Sequence, residues 1–138
     1  MAEVNDWNAR VIEEFRTNQG RLGGPFEGAS LLLLTTSGAK TGRERVNPVA
    51  YRIEGGTLYV FASKAGGPHN PDWYHNLVAH PEVTVELGSE TFPASARVIT
   101  GSERDAIFAR QAEENPVFAQ YQEQTSRVIP VVALDRVA

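Results

Sequence analysis

Val46-Asn47-Pro48-Val49-Ala50-Tyr51-Arg52-Ile53-Glu54-Gly55-Gly56-Thr57-Leu58-Tyr59-Val60-Phe61-Ala62 is the stretch that decides the fold. Two runs rich in β-branched and aromatic residues flank Glu-Gly-Gly. A tight hairpin turn needs left-handed backbone at its centre, which glycine adopts without a Cβ clash. The stretch therefore predicts a hairpin of strands Val46–Ile53 and Thr57–Ala62. Pro48 has no N–H to give a ladder, so the first strand should have an edge or a bulge near its start.

Working outward, Ser30–Thr36 reads as a buried strand on the N-terminal side. On the C-terminal side Glu82–Leu87 alternates as a fourth strand, Gly88-Ser89 turns, Glu90–Thr100 is a fifth, and Arg127–Leu134 is the last. Apolar residues at 4, 7, 11, 12 and 15 form a helical stripe from Val4 to Phe15, capped by Asn5 or Asp6 and ended by Gly20. Residues 20–28 (GRLGGPFEG) should be an irregular connection. Asp72 can cap a short helix through about Val78, which Pro81 terminates. Ser102 with Asp105 resembles a capping box for a helix to about Glu114, and Pro116 can open a further helical stretch to about Gln124. The pattern is α+β: six strands, mostly in antiparallel hairpins, with helices at front, middle and back, and a meander long enough to close into a small barrel. Residues 1–29 form the helix and connection, and 30–138 the barrel, in a single domain overall. Strand–helix–strand alternation is missing, so a dinucleotide-type parallel sheet is not expected.

The chain has 138 residues, 41% of them hydrophobic and 22% charged, the balance of one globular domain. It has no cysteine, which excludes disulfides, cysteine-based zinc sites, iron–sulfur clusters and thiol catalysis. Seventeen acids against 13 bases give a net charge of −4, which argues against general nucleic-acid binding. The four leucines at 31–34 form an apolar run far short of the roughly 20 residues that span a bilayer. MAEVNDWNAR has acids where a secretion signal has bases, so a cytoplasmic protein is expected.

The charge is uneven. Between 40 and 64 stand Lys40, Arg43, Arg45, Arg52 and Lys64 against Glu44 and Glu54, a net +3 in an acidic chain, and Lys40 and Lys64 are its only lysines. The dinucleotide, P-loop, nucleophile-elbow and zinc-protease signatures are all absent. His69, His75 and His80 are the only histidines; Asp72 and His75 share a helix face, but a third ligand would have to come from beyond it, and no metal site is expected.

Two segments carry the chemistry. Gly38-Ala39-Lys40-Thr41-Gly42-Arg43-Glu44-Arg45-Val46-Asn47-Pro48 sets glycines around a lysine and a threonine, followed by two alternate arginines. Backbone N–H groups, a hydroxyl and bases make a phosphate cradle outside a P-loop, although a plain hairpin turn with solvated charges has the same composition. Ser63-Lys64-Ala65-Gly66-Gly67-Pro68-His69-Asn70-Pro71-Asp72-Trp73-Tyr74-His75-Asn76 offers exposed backbone and an aromatic pair against which a flat heteroaromatic ring could lie. Trp73 and Leu77, four apart, would equally pack the helix on the barrel.

These segments, LLLLTTSGAKTGRERVNPVAY (31–51) and ASKAGGPHNPDWYHNL (62–77), together with YQEQTSRVIPVVAL (121–134), resemble the deazaflavin-dependent nitroreductase family of actinobacteria, small reductases that use coenzyme F420. The resemblance implies a split β-barrel like that of the FMN-binding, pyridoxine-phosphate-oxidase proteins. It implies that Lys40, Thr41, Gly42, Arg45 and Lys64, joined by Arg43, hold the phosphate and acidic tail of the coenzyme. Pro48, Ser63, Ala65, Gly66, Asn70, Pro71 and Trp73 match the walls around the deazaflavin ring. Asn115, Phe118 and Tyr121 match a substrate-facing ladder that carries three tyrosines in nitroimidazole-activating members; only Tyr121 keeps one.

The implied reaction is hydride transfer to a small electron acceptor: a quinone, an enone or lactone, or a nitroaromatic. Tyr121 or water would give the proton. FMN, which also has a phosphate, is the alternative cofactor, and haem is known to bind this barrel class; a non-catalytic carrier of coenzyme F420 is the alternative role. The resemblance is compatible with a monomer or a homodimer. It is also compatible with peripheral contact of the first helix with the inner face of the cell membrane.

Overall fold

The Gly55-Gly56 pair turns the chain as the hairpin requires, with φ +58° and +82°. Strand β2 (Glu44–Glu54) runs antiparallel to β3 (Thr57–Phe61), with Arg52 opposite Tyr59 and Glu54 opposite Thr57. The structure, a computed structural model, describes residues 6–18 and 31–137. The other elements are α1 (Asp6–Thr17), β1 (Leu31–Ser37), α2 (Asp72–Ala79), β4 (Glu82–Leu87), β5 (Glu90–Ile99), α3 (Gly101–Glu114), α4 (Val117–Gln124) and β6 (Val131–Arg136), with one 3-10 turn at Lys64–Gly66. The predicted positions at Val4, Asn5 and Gly20, the connection over 20–28 and Ser30 lie outside the described residues.

The six strands close into a barrel in the order β1-β2-β3-β6-β5-β4, every pair antiparallel. Closure explains the four leucines. Leu32 and Leu34 point into the barrel with Val49, Val60, Val85 and Val132. Leu33 points outward and is covered by Val11, Ile12 and Phe15 of α1. A strand buried on both faces needs an apolar run rather than an alternation. Likewise β3 sends Leu58 and Val60 inward and Tyr59 and Phe61 outward, beneath Ile107 and Phe108 of α3 and Phe118 of α4. Helix α2 packs Trp73 and Leu77 into the interior cluster.

Pairing of β2 with β3 begins at Tyr51, whereas its pairing with β1 runs from Glu44 to Ala50. Pro48 thus lies on a stretch with one strand neighbour, the edge expected from its missing N–H. Three expectations are corrected. The last strand starts at Val131, not Arg127, because Pro130 cannot donate to a ladder and Arg127 is drawn into other bonds. Asp72 is the first residue of α2, whose N-cap is Pro71, and Ser102 lies inside α3, whose N-cap is Thr100; neither cap bonds through a side chain. No helix among the described residues is long and apolar enough to cross a membrane.

Candidate functional site

The turn between β1 and β2 is tied from within and from below. Gly38 N–H donates to Arg43 O at 2.7 Å, Gly42 N–H to Gly38 O at 2.8 Å, and Arg43 N–H to Thr41 Oγ1 at 3.2 Å. A Cβ at Gly38 would stand 2.9 Å from Thr41 Oγ1 and 3.2 Å from Arg43 O, so a side chain there would press on both groups of the closure. From below, Asn76 of α2 accepts the Ala39 N–H at 2.9 Å and donates to Thr36 Oγ1 at 3.1 Å. Asn76 and Thr36 are both buried, so the turn is clamped to the barrel rather than hanging from its rim.

The clamp leaves binding groups free. Among the described residues the amides of Lys40 and Thr41 and the side chains of Lys40, Arg43 and Arg45 have no hydrogen-bond or ion-pair partner. Elsewhere, Arg16, Arg52, Arg97, Arg110 and Arg136 are each held by a carboxylate. Arg52, counted in the basic segment from sequence, is therefore removed from it by Glu54 and Glu114. A cavity of about 470 Å³ opens beside the turn, lined by Gly38, Ala39, Lys40, Thr41, Arg45, Val46, Asn47, Asp72, His75 and Asn76. Unpaired cations and amides over a cavity suit an anionic group. Asp72 and His75 also face the cavity, but among the described residues no group of three or more potential ligands could hold a metal ion.

The second segment is organised by a residue that sequence reading left inside a strand. The Arg127 guanidinium donates to four oxygens of this loop: Gly67 O at 3.0 Å, Ala62 O at 3.1 Å, Asn70 Oδ1 at 2.7 Å and Ser63 O at 2.8 Å. Burial pushes it below the ordinary arginine range, and among the described residues no carboxylate pairs with it. Its only trace in the sequence is its place in the YQEQTSRVIPVVAL match. The 3-10 turn packs on α4, and a Cβ at Gly66 would lie 3.0 Å from Tyr121 O. Lys64 takes φ +47°, a left-handed conformation costing about 1–2 kcal/mol for a residue with a Cβ.

The predicted residues fall into separate groups. Lys40, Thr41 and Arg45 line the cavity; Gly42 and Arg43 are exposed on the same turn. Ser63, Lys64, Gly66, Asn70 and Pro71 share the second loop, Asn70 with its carbonyl oxygen already engaged by Arg127. Trp73 is 6% exposed and packs in the barrel core, and Pro48 is half-buried on β2. Phe118 is 4% exposed, packed against Phe61 and Phe108; it does not face open space but supports the half-buried Tyr121, ring centroids 5.5 Å apart. Asn115 is exposed at the end of α3. Asn47, Asp72, His75 and Asn76, none of them a predicted site residue, also line the cavity; that α2 supplies the last three follows only from its place beside the β1–β2 turn.

Comparisons with known proteins bear on the family and the fold. The profile of a family described as F420H(2)-dependent quinone reductase matches residues 7–136. The F420H(2)-dependent quinone reductase Rv1261c of Mycobacterium tuberculosis is 39% identical over 126 residues, covering 88% of this chain and 85% of the relative. A solved F420-H2 dependent reductase, FDR-A, is 39% identical with a TM-score of 0.69, covering 76% of this chain and 93% of its own. A further structure, described as a domain-swapped dimer, is 36% identical with a TM-score of 0.71, covering 94% and 98%. At 11% identity and a TM-score of 0.58, over 96% of this chain and 95% of the other, a Listeria innocua structure named for pyridoxamine 5′-phosphate oxidase shares the fold alone.

Proposed function

The chain belongs to the F420H(2)-dependent quinone reductase family, an oxidoreductase family whose cofactor is coenzyme F420, and on that premise we propose that it passes a hydride from the reduced coenzyme to a quinone. The observation that carries this reading is the clamped turn with its unpaired Lys40, Arg43 and Arg45 beside the cavity. Those groups suit the phosphate and carboxylates of the coenzyme. The loop over 63–71 is the wall for its flat ring. When bound, the reduced deazaflavin supplies a hydride from C5 and disfavours one-electron chemistry.

The chain's own residues bind and orient. Lys40, Thr41 and Arg45 hold the anionic end, with Gly42 and Arg43 on the same turn and Lys64 approaching from the second loop. Ser63, Ala65, Gly66, Asn70 and Pro71 hold the ring; Pro48 and Trp73 set its surroundings from β2 and from the core. Tyr121 and Asn115 border the acceptor side, and Phe118 fixes the Tyr121 ring. Holding donor and acceptor in register is the protein's contribution, since no nucleophile is needed. Enones, lactones and nitroaromatics are electron-poor in the same way and extend the acceptor range. Water, or Tyr121, supplies the balancing proton.

Fluorescence titration with coenzyme F420 and with FMN tests the cofactor, and oxidation of the reduced coenzyme by a soluble quinone tests the reaction. Tighter binding of coenzyme F420 and quinone-dependent turnover are expected. Equal or tighter FMN binding overturns the cofactor assignment. Tight coenzyme binding without turnover on any acceptor class overturns the enzyme in favour of a carrier.

A further inference from the structure

We propose that Arg127 is a positioning residue that makes the 62–70 loop a hydrogen-bond donor face, fixing Asn70 so that its amide nitrogen, not its oxygen, meets the ring of the ligand. This rests on the reading of that loop as the ring wall.

A guanidinium has only donors, so whatever faces it must accept. Arg127 gathers Ala62 O, Ser63 O, Gly67 O and Asn70 Oδ1 to itself. Lys64 O is taken by the Gly67 N–H at 2.9 Å. These five acceptors of the loop are therefore taken within the chain. Asn70 Nδ2 and the Ser63 hydroxyl have no partner among the described residues. With Oδ1 held at 2.7 Å, the Asn70 amide cannot flip without setting its NH2 against the guanidinium. The side-chain groups left to a ligand, the Asn70 NH2 and the Ser63 hydroxyl, can both donate, and they suit the edge of a planar heterocycle that presents carbonyl oxygens or unprotonated ring nitrogens.

Arg127 is itself held in place. Gln122 Nε2 donates to Arg127 O at 2.7 Å, and Gln122 Oε1 accepts the Ile129 N–H at 3.0 Å. These bonds fix the backbone that carries Arg127 in the segment joining α4 to β6.

Two variants test this. Arg127→Lys keeps the charge but cannot reach four acceptors. Its amides over 63–70 should exchange hydrogen about tenfold or more faster without coenzyme, and coenzyme F420 should bind about tenfold or more weaker, the fold-change of one charged hydrogen bond. Asn70→Asp keeps an oxygen on Arg127 and places a second oxygen where Nδ2 stood. It should fold with an unfolding midpoint at or above that of the parent and normal exchange over 63–70, yet bind coenzyme F420 about tenfold or more weaker. This variant carries the test if Arg127→Lys does not fold. Unchanged exchange in Arg127→Lys overturns the anchoring. Parent-like affinity in Asn70→Asp overturns the donor face. Faster exchange in Arg127→Lys with parent-like affinity in both variants shows that the ring lies elsewhere, overturning the proposal through the reading on which it rests. A parent chain that binds no coenzyme overturns that reading directly.

Discussion

Gly66→Ala is the sharpest probe of how the second loop meets α4. Gly66 has φ +79°, and a Cβ there would stand 2.5 Å from Gln124 Oε1, 3.0 Å from Tyr121 O and 3.1 Å from Tyr121 Cα. The Gln124 side chain is exposed and can swing away, but the Tyr121 backbone is inside a helix and cannot. Left-handed backbone with a Cβ costs about 1–2 kcal/mol. Forcing the turn off the helix adds an overpacking cost of about 1–3 kcal/mol. The sum, about 2–5 kcal/mol, should lower Tm by about 6 °C or more in a domain of this size. Gly55→Ala separates the two contributions: its φ is +58° and nothing lies within 4 Å of the added Cβ, so it should show the backbone cost alone. Thermal and urea unfolding of both variants, with coenzyme titration, measures the difference. Affinity should fall in Gly66→Ala and hold in Gly55→Ala, because only the former moves the loop away from Tyr121. Losses of stability that agree within about 0.5 kcal/mol would refute the close contact.

Replacing Lys40 or Arg45 by Ala should weaken coenzyme F420 binding by about 1.5–3 kcal/mol, less in high salt; an unchanged dissociation constant in both variants would place the phosphate elsewhere. Tyr121→Phe should keep most of kcat and mainly alter KM if the tyrosine lines the pocket, whereas a fall in kcat of about 10²-fold with affinity intact would make it the proton donor. Arg110 and Arg52 hold the Glu54 carboxyl down at about 2, against 4.5 for a free glutamate. Its contribution to stability is therefore complete above about pH 4.5 and is lost as pH falls through about 2, so Glu54→Gln should flatten the acid side of an unfolding-midpoint profile; parallel profiles would contradict the pairing.

Much of this protein was legible in one dimension because its signals are local. The Gly55-Gly56 hairpin, the alternation of β4 and the stripe of α1 each arise from a short run of neighbouring residues, and the six strands were read from local signals of this kind. The basic turn was legible for the same reason: Lys40, Thr41, Arg43 and Arg45 are near neighbours in the chain, and glycine's freedom is a property of the residue itself. Tertiary structure decided what depends on contacts between distant segments. That β3 lies beside β6 follows from barrel closure, which pairs Phe61 with Val131 across 70 positions. Closure also set which leucines of β1 face inward. It joined Asn76 to Ala39 and Arg127 to Ser63, distances in sequence over which no periodicity speaks. It also took Arg52 out of the basic site, gave it to Glu54 and Glu114, and buried Phe118. A side chain's type is written in the sequence, but whether its charge or oxygen is free for a ligand depends on which distant groups the fold sets against it.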